Sequence, residues 1–211
     1  MKKNYLLLAG FALWGLAGHS QILNESAGWP NTNWNIAGTY LTGANIFESN
    51  PKTTANFAYD DNEAGSGHHD EIAAESPVID LTAAFNGGET FLQVTVEYGF
   101  HLLNNDRLRF EYWNAATSAW VAWGENIPGN NDAIQNNFCD IPKTVFQTPS
   151  LDISGFTTTQ LTGFKYRISY NDDPNGTGWN WGFCFNSPVL KSLSCAAPED
   201  LAVSAYSSTG A

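Results

Sequence analysis

The sequence predicts an all-β fold, a two-sheet antiparallel sandwich of jelly-roll type. Three observations predict it. Short stretches alternate apolar and polar residues, clusters of Gly, Asn, Asp and Pro separate them, and helical periodicity is nearly missing after residue 20. The 211 residues are 14% aromatic and only 14% charged, a composition that builds a packed core and not a disordered chain.

The chain opens with Lys2 and Lys3, followed by an apolar run from Tyr5 to Ala17. That run is shorter than the roughly 20 residues needed to span a bilayer, and it fits the apolar core of a secretion signal. Gly18 and Ser20 place small residues before a cut at Gln21. Residues 1–20 are therefore predicted to be a cleaved signal peptide. The rest is expected to be secreted or held at the cell surface, without membrane insertion.

Residues 21–194 are predicted to form the sandwich. The first 50 residues after the predicted cut are rich in Asn, Gly and Thr and read as one opening strand with long loops. Glu71–Leu81 contains Pro77 and reads as an edge or broken strand. In Phe91–Phe100, Leu92, Val94, Val96 and Tyr98 make an apolar face. Leu108, Phe110 and Tyr112 alternate with Arg107, Arg109 and Glu111, and a turn at Asn114–Ser118 leads back through Trp120–Trp123 as a hairpin. Phe164, Tyr166, Ile168 and Tyr170 alternate with Lys165, Arg167 and Ser169. Gly182–Leu193 is a further strand, with Pro188 marking a bulge or an edge.

Three segments resemble the jelly-roll modules of secreted bacterial adhesins and proteases, the MAM-like, cleaved-adhesin and choice-of-anchor J families. They are Asn24–Pro30, the stretch from Asp70-Glu71-Ile72 through Ser76-Pro77-Val78-Ile79-Asp80-Leu81, and Trp181-Gly182-Phe183-Cys184-Phe185-Asn186. The resemblance implies structural calcium, and a role in adhesion, glycan binding or support of a neighbouring catalytic domain. It implies Glu25, Asp70, Glu71 and Asn186 as site residues. Asn186 departs from the family, which usually has Asp there, and a neutral ligand lowers calcium affinity. From Ser194 the tail resembles the start of a fibronectin type III domain, with Cys195, Pro198 and Leu201 in its opening pattern. Residues 195–211 are expected to be the truncated start of such a domain, with further domains downstream.

The densest constellation is the loop Asp60–Glu71 (DDNEAGSGHHDE). Asp60, Asn62, Gly65 and Glu71 occupy four positions of a calcium loop, while Ala64 supplies no side-chain oxygen where a ligand is due. No helical pattern flanks the loop, so a looser calcium loop is expected rather than an EF-hand. His68 and His69 lack the spacing of a zinc site. Asn171, Asp173 and Asn175 before Gly176 form a second oxygen-rich turn, read first as a tight turn. The metal candidates are thus Glu25, Asp60, Asn62, Asp70, Glu71 and Asn186, with calcium as the ion. Among eight tryptophans, Trp120 resembles the core tryptophan of the family's hairpin. Trp179 and Trp181 are the candidates for an exposed glycan-stacking platform.

The chain carries net charge −12, and −14 once Lys2 and Lys3 are removed, because residues 1–20 hold no acid. Such a surface repels phosphate backbones, so nucleic acid is not an expected partner. A glycan or protein on a surface is. No Gly-x-Ser-x-Gly elbow and no cysteine with a placed histidine is found, and a non-catalytic role is expected. Three cysteines in an oxidising compartment imply one disulfide and one leftover, Cys139–Cys184 or Cys184–Cys195.

Overall fold

A computed structural model describes residues 22–26, 33–41, 57–103, 105–129, 144–172 and 180–196. The signal segment and the tail beyond residue 196, with its fibronectin-like pattern, lie outside the described residues, as do Cys139 and Trp179.

Two antiparallel sheets face each other. The spine of the first is β5 (Phe91–Phe100). Along one of its sides β12 (Val189–Leu193) and β11 (Phe183–Phe185) pair in succession; along the other run β9 (Leu151–Asp152) and β8 (Thr144–Gln147). β1 (Asn24–Ser26) extends the sheet beyond β12, and β3 (Phe57–Tyr59) extends it beyond β11. Pro188 lies in the break between β11 and β12, where a missing N–H costs no ladder bond.

The second sheet runs β2 (Asn35–Thr39), β4 (Glu71–Glu75), β10 (Tyr166–Asn171), β6 (Arg107–Asn114) and β7 (Ala119–Ala122). β6 and β7 form the expected hairpin, with Asn114 opposite Ala119 and Ser118 taking the left-handed turn conformation at φ 52°. β4 is an interior strand, not an edge, and it is broken at Pro77: the strand stops at Glu75, the Ser76 N–H still donates to the Tyr166 carbonyl at 2.8 Å, and an isolated bridge pairs Ile79 with Phe164.

The period of two decides what each face carries. Leu92, Val94, Val96, Tyr98 and Phe100 point inward from β5 and meet Leu108, Phe110, Tyr166, Ile168 and Tyr170 from the second sheet, all at most 2% exposed. Aromatic rings interlock there, Phe110 with Phe146 at 5.9 Å and Phe100 with Tyr170 at 6.2 Å. Trp123 closes one end of this core, its indole N–H donating to the Pro149 carbonyl at 2.8 Å. It, and not Trp120, is the buried tryptophan of the hairpin. Trp120 lies half-buried on the outer face beside Trp113, with ring centroids 5.3 Å apart.

Among the described residues there are three short helices, α1 (Asp61–Ala64), α2 (Thr82–Asn86) and α3 (Thr158–Thr162). α3 is held by a capping box between Thr157 and Gln160. Cys184 is buried and disulfide-bonded while Cys195 is free, so the Cys184–Cys195 alternative is not formed. No helix among the described residues is long and apolar enough to cross a membrane.

Candidate functional site

Three elements converge where the two sheets meet at one end: the start of α1, the start of β4 and the end of β10. Asp172 follows β10, and its backbone N–H donates to the Asp70 carbonyl at 3.1 Å, which continues the β4–β10 ladder by one pair. Inward parity through Tyr170 and Ile72 then sends both aspartates toward the interior. Asp61 follows Tyr59 of β3 with the same parity. The three carboxylates are 0%, 1% and 0% exposed, and their ligand oxygens lie within 4.8 Å of one another.

Backbone amides hold these carboxylates in place. The Asn180 N–H donates to Asp61 Oδ2 at 2.6 Å, the Leu41 N–H to Asp70 Oδ1 at 2.8 Å and the Asp70 N–H to Asp172 Oδ1 at 2.9 Å. One oxygen of each group is thereby fixed. The other oxygen of each group is sealed from solvent; Oδ1 of Asp61 and Oδ2 of Asp172 accept no hydrogen bond among the described residues, while Oδ2 of Asp70 faces His68. Two histidines border the cluster: His69 Nδ1 lies 2.5 Å from Asp172 Oδ1, and His68 Nδ1 lies 2.9 Å from Asp70 Oδ2.

Gly182 makes the convergence possible. It sits at φ +102°, and a Cβ there would lie 2.0 Å from the Tyr59 carbonyl oxygen and 2.9 Å from the Asp61 nitrogen. Only glycine lets β11 approach the β3–α1 junction this closely.

The electrostatics are those of anions deprived of water. Burial, with Asp172 as the next cause, raises the Asp61 carboxyl from 3.8 to about 7. Burial likewise raises Asp172. It pushes the Tyr59 phenol well above its ordinary value, and the neighbouring Asp70 adds to this. A divalent cation would reverse the situation. The donor set is all oxygen, which suits a hard cation. Its 4.8 Å span is no more than two calcium–oxygen bonds of about 2.4 Å placed end to end.

The six metal candidates of the sequence separate in the fold. Asp70 is in the cluster. Asp60 is not: its carboxylate caps α1 by accepting the Glu63 N–H at 3.0 Å. Asn62 sits on α1, half-buried and outside the triad. Glu71 points to the outer face, 62% exposed, and accepts from Asn171 Nδ2 at 2.6 Å. Asn186 is turned to β5 and donates to Glu97 Oε2 at 2.6 Å. Glu25 lies in β1 opposite Leu190 of β12, away from the β3–β11 end, and its side chain is outside the described residues. Asp61 and Asp172 are the members that motif matching passed over.

Trp181 is 7% exposed, with its ring edge-on to His101 at 6.2 Å. That burial rules it out as an exposed platform, and Trp179 lies outside the described residues.

A second feature occupies the outer face of the five-stranded sheet. The outward residues of β10 and β6, with Glu71 and Glu75 of β4, form a polar field. Glu111, 3% exposed, accepts from Arg109 Nη2 and Arg167 Nε, each at 2.5 Å, and Arg167 Nη1 reaches Glu75 at 3.4 Å. Lys165 lies 5.1 Å from the ring centres of Trp113 and Trp120, and Arg167 stacks 4.3 Å over Trp120. Beside this field, between β4, β10 and β6, is a depression of about 120 Å³.

No protein-family model matches the chain, and no curated protein matches it. Solved structures similar in fold include a xylan-binding domain of a family 22 carbohydrate-binding module, at TM-score 0.41 and 8% identity over 84% of this chain and 97% of that one. A second is the N-terminal part of a Clostridium thermocellum endo-1,4-β-D-xylanase in complex with xylohexaose, at TM-score 0.41 and 13% identity over 89% of this chain and 30% of that one. A third is a xylan-binding domain from Paenibacillus barcinonensis, at TM-score 0.41 and 7% identity over 84% and 97%.

Proposed function

We propose that this chain is a non-catalytic glycan-binding module whose sandwich is locked by one calcium ion at Asp61, Asp70 and Asp172. The sealed triad carries the reading. Three buried carboxylates each have one oxygen held by a backbone amide, and those of Asp61 and Asp172 leave the other oxygen unmatched; such a cluster costs stability as it stands and repays it when a divalent cation joins it. Their burial also argues for binding over hydrolysis, since these carboxylates are open to an ion and closed to a sugar. The ligand face is the outer surface of the five-stranded sheet, where tryptophan rings, guanidinium groups, amides and carboxylates lie side by side. Few and fixed polar groups next to apolar area are what orients a sugar.

The finer form of the proposal is a secreted or cell-surface adhesion module of the MAM-like, cleaved-adhesin or choice-of-anchor J kind. Residues 1–20 would be its export signal and residues 195–211 the start of a fibronectin-like neighbour. The acidic exterior and the disulfide at Cys184 suit an extracellular setting.

Thermal melting with calcium and with a chelator tests the ion. At calcium 100 times Kd the gain is about 2.7 kcal/mol, which for a domain of this size is about 5–10 °C. Asp172→Asn is expected to abolish the difference. A melting temperature that stays the same between millimolar calcium and chelator overturns the calcium site.

A further inference from the structure

We infer that the depression on the outer sheet face receives the carboxylate of an acidic, uronate-bearing glycan, with Arg107 as its principal partner. This rests on the glycan-binding reading and narrows it to a substrate class.

Charge is the first observation. The chain has nine Lys and Arg residues against 21 acids. Four of the nine, Arg107, Arg109, Lys165 and Arg167, line this one face. Glu71, Glu75 and Glu111 share the face, so four bases against three acids leave it at about +1 on a chain of net charge −12.

The second observation separates Arg107 from its neighbours. Arg109 and Arg167 are neutralised by Glu111, and Arg167 also by Glu75. Arg107 forms no ion pair among the described residues. Its Nε is sealed from solvent and donates to nothing there. The side chain as a whole is half-buried and lines the depression, so an incoming anion would meet the rest of its guanidinium and supply an acceptor that the fold does not. Arg107 lines the depression next to Asn171, opposite it in the β6–β10 register, and Asn171 faces Glu71 across the β10–β4 register.

The depression is small, about 120 Å³, and opens to solvent, which suits a substituent of a glycan that lies across the sheet. The glycan would lie across the sheet with its acid substituent inserted. Arg107 would offer the planar, bidentate donor geometry that matches a carboxylate. Ser169, Asn171 and Glu71 would take ring hydroxyls at the rim. An acidic peptide would supply the carboxylate but not the row of hydroxyls that this rim is equipped to meet.

The test is a binding titration of the calcium-loaded protein against uronate-bearing oligosaccharides, each paired with its carboxyl-reduced counterpart, plus sulfated glycans and poly-glutamate. The uronates are expected to bind about 10- to 100-fold more tightly than the reduced forms, and Arg107→Gln to erase that preference at unchanged melting temperature. The ligand-side comparison needs no variant, so it decides the matter even if Arg107→Gln fails to fold. Equal binding of the reduced forms overturns this inference and leaves the glycan-binding reading standing. Binding only to sulfated glycans or poly-glutamate overturns the carboxylate-glycan assignment. Binding to none of the probes removes both.

Discussion

Asp172 shows how a decisive residue can be hidden by a motif and exposed by parity. The turn after β10 offers oxygens at the alternate positions Asn171, Asp173 and Asn175, the spacing of a calcium loop. The residue that joins the cluster is Asp172, between them. The alternation Tyr166, Ile168, Tyr170 already assigns the inner face, and one more step of two reaches Asp172. The same step back from Ile72 reaches Asp70, and forward from Tyr59 reaches Asp61. What the sequence could not show is that the three strand ends meet, since pairing across 102 and 119 residues is a tertiary fact. The triad also sets a pH dependence. In the calcium-free protein Asp61 titrates at about 7, against 3.8 in the unfolded chain. Between these values the native state holds a proton that the unfolded state has released. Native stability therefore falls as pH rises from about 4 to about 7. Calcium at the proposed site would reverse the trend, because the ion would displace that proton. Denaturant titrations with chelator at pH 4.5 and 7.5 check the first sign, and the calcium-induced stabilisation, larger at pH 7.5, checks the second.

Elements were more legible than their roles. The β5 face, the β6–β7 hairpin and the β10 alternation follow directly from period two, because one face of each meets a core and the other does not. The interior place of β4 was not legible, but its break was: Pro77 suggested an edge or a broken strand, and the strand stops at Glu75, two residues before it, with an isolated bridge at Ile79 beyond. Alternation does put Trp120 and Trp123, three residues apart, on opposite faces; the family resemblance pointed to Trp120 as the core ring, and the core takes Trp123. The arginines of β6 read correctly as an outward face, while their charge pairing depends on which strands lie beside them. The junction of β3, α1 and β11 depends on Gly182. Gly182→Ala is expected to destabilise by at least about 2 kcal/mol, from left-handed strain plus overlap with the Tyr59 carbonyl. It should also weaken calcium binding, and chemical denaturation with and without calcium reads both. Thr157→Ala, which removes the α3 capping box, is expected to cost about 1 kcal/mol and leave calcium binding unchanged.

At the scale of the molecule, two sheets share one aromatic core, and the chemistry sits at one end of it and on one outer face. Phe110→Ala, at the centre of the core, is expected to cost about 3–5 kcal/mol by denaturant titration. Reducing the buried Cys184 disulfide is expected to cost about 2–4 kcal/mol, read as a lowered midpoint in reductant. The triad joins strand ends from both sheets, β3 from one and β4 and β10 from the other, so an ion bound there would brace the sandwich as a whole. The most direct test is a calorimetric titration of calcium into chelator-stripped protein and into Asp61→Asn and Asp172→Asn. One ion per chain with oxygen-site affinity in the parent protein, lost in both variants, is the predicted result. No binding heat in the parent protein, or binding undiminished in both variants, contradicts it.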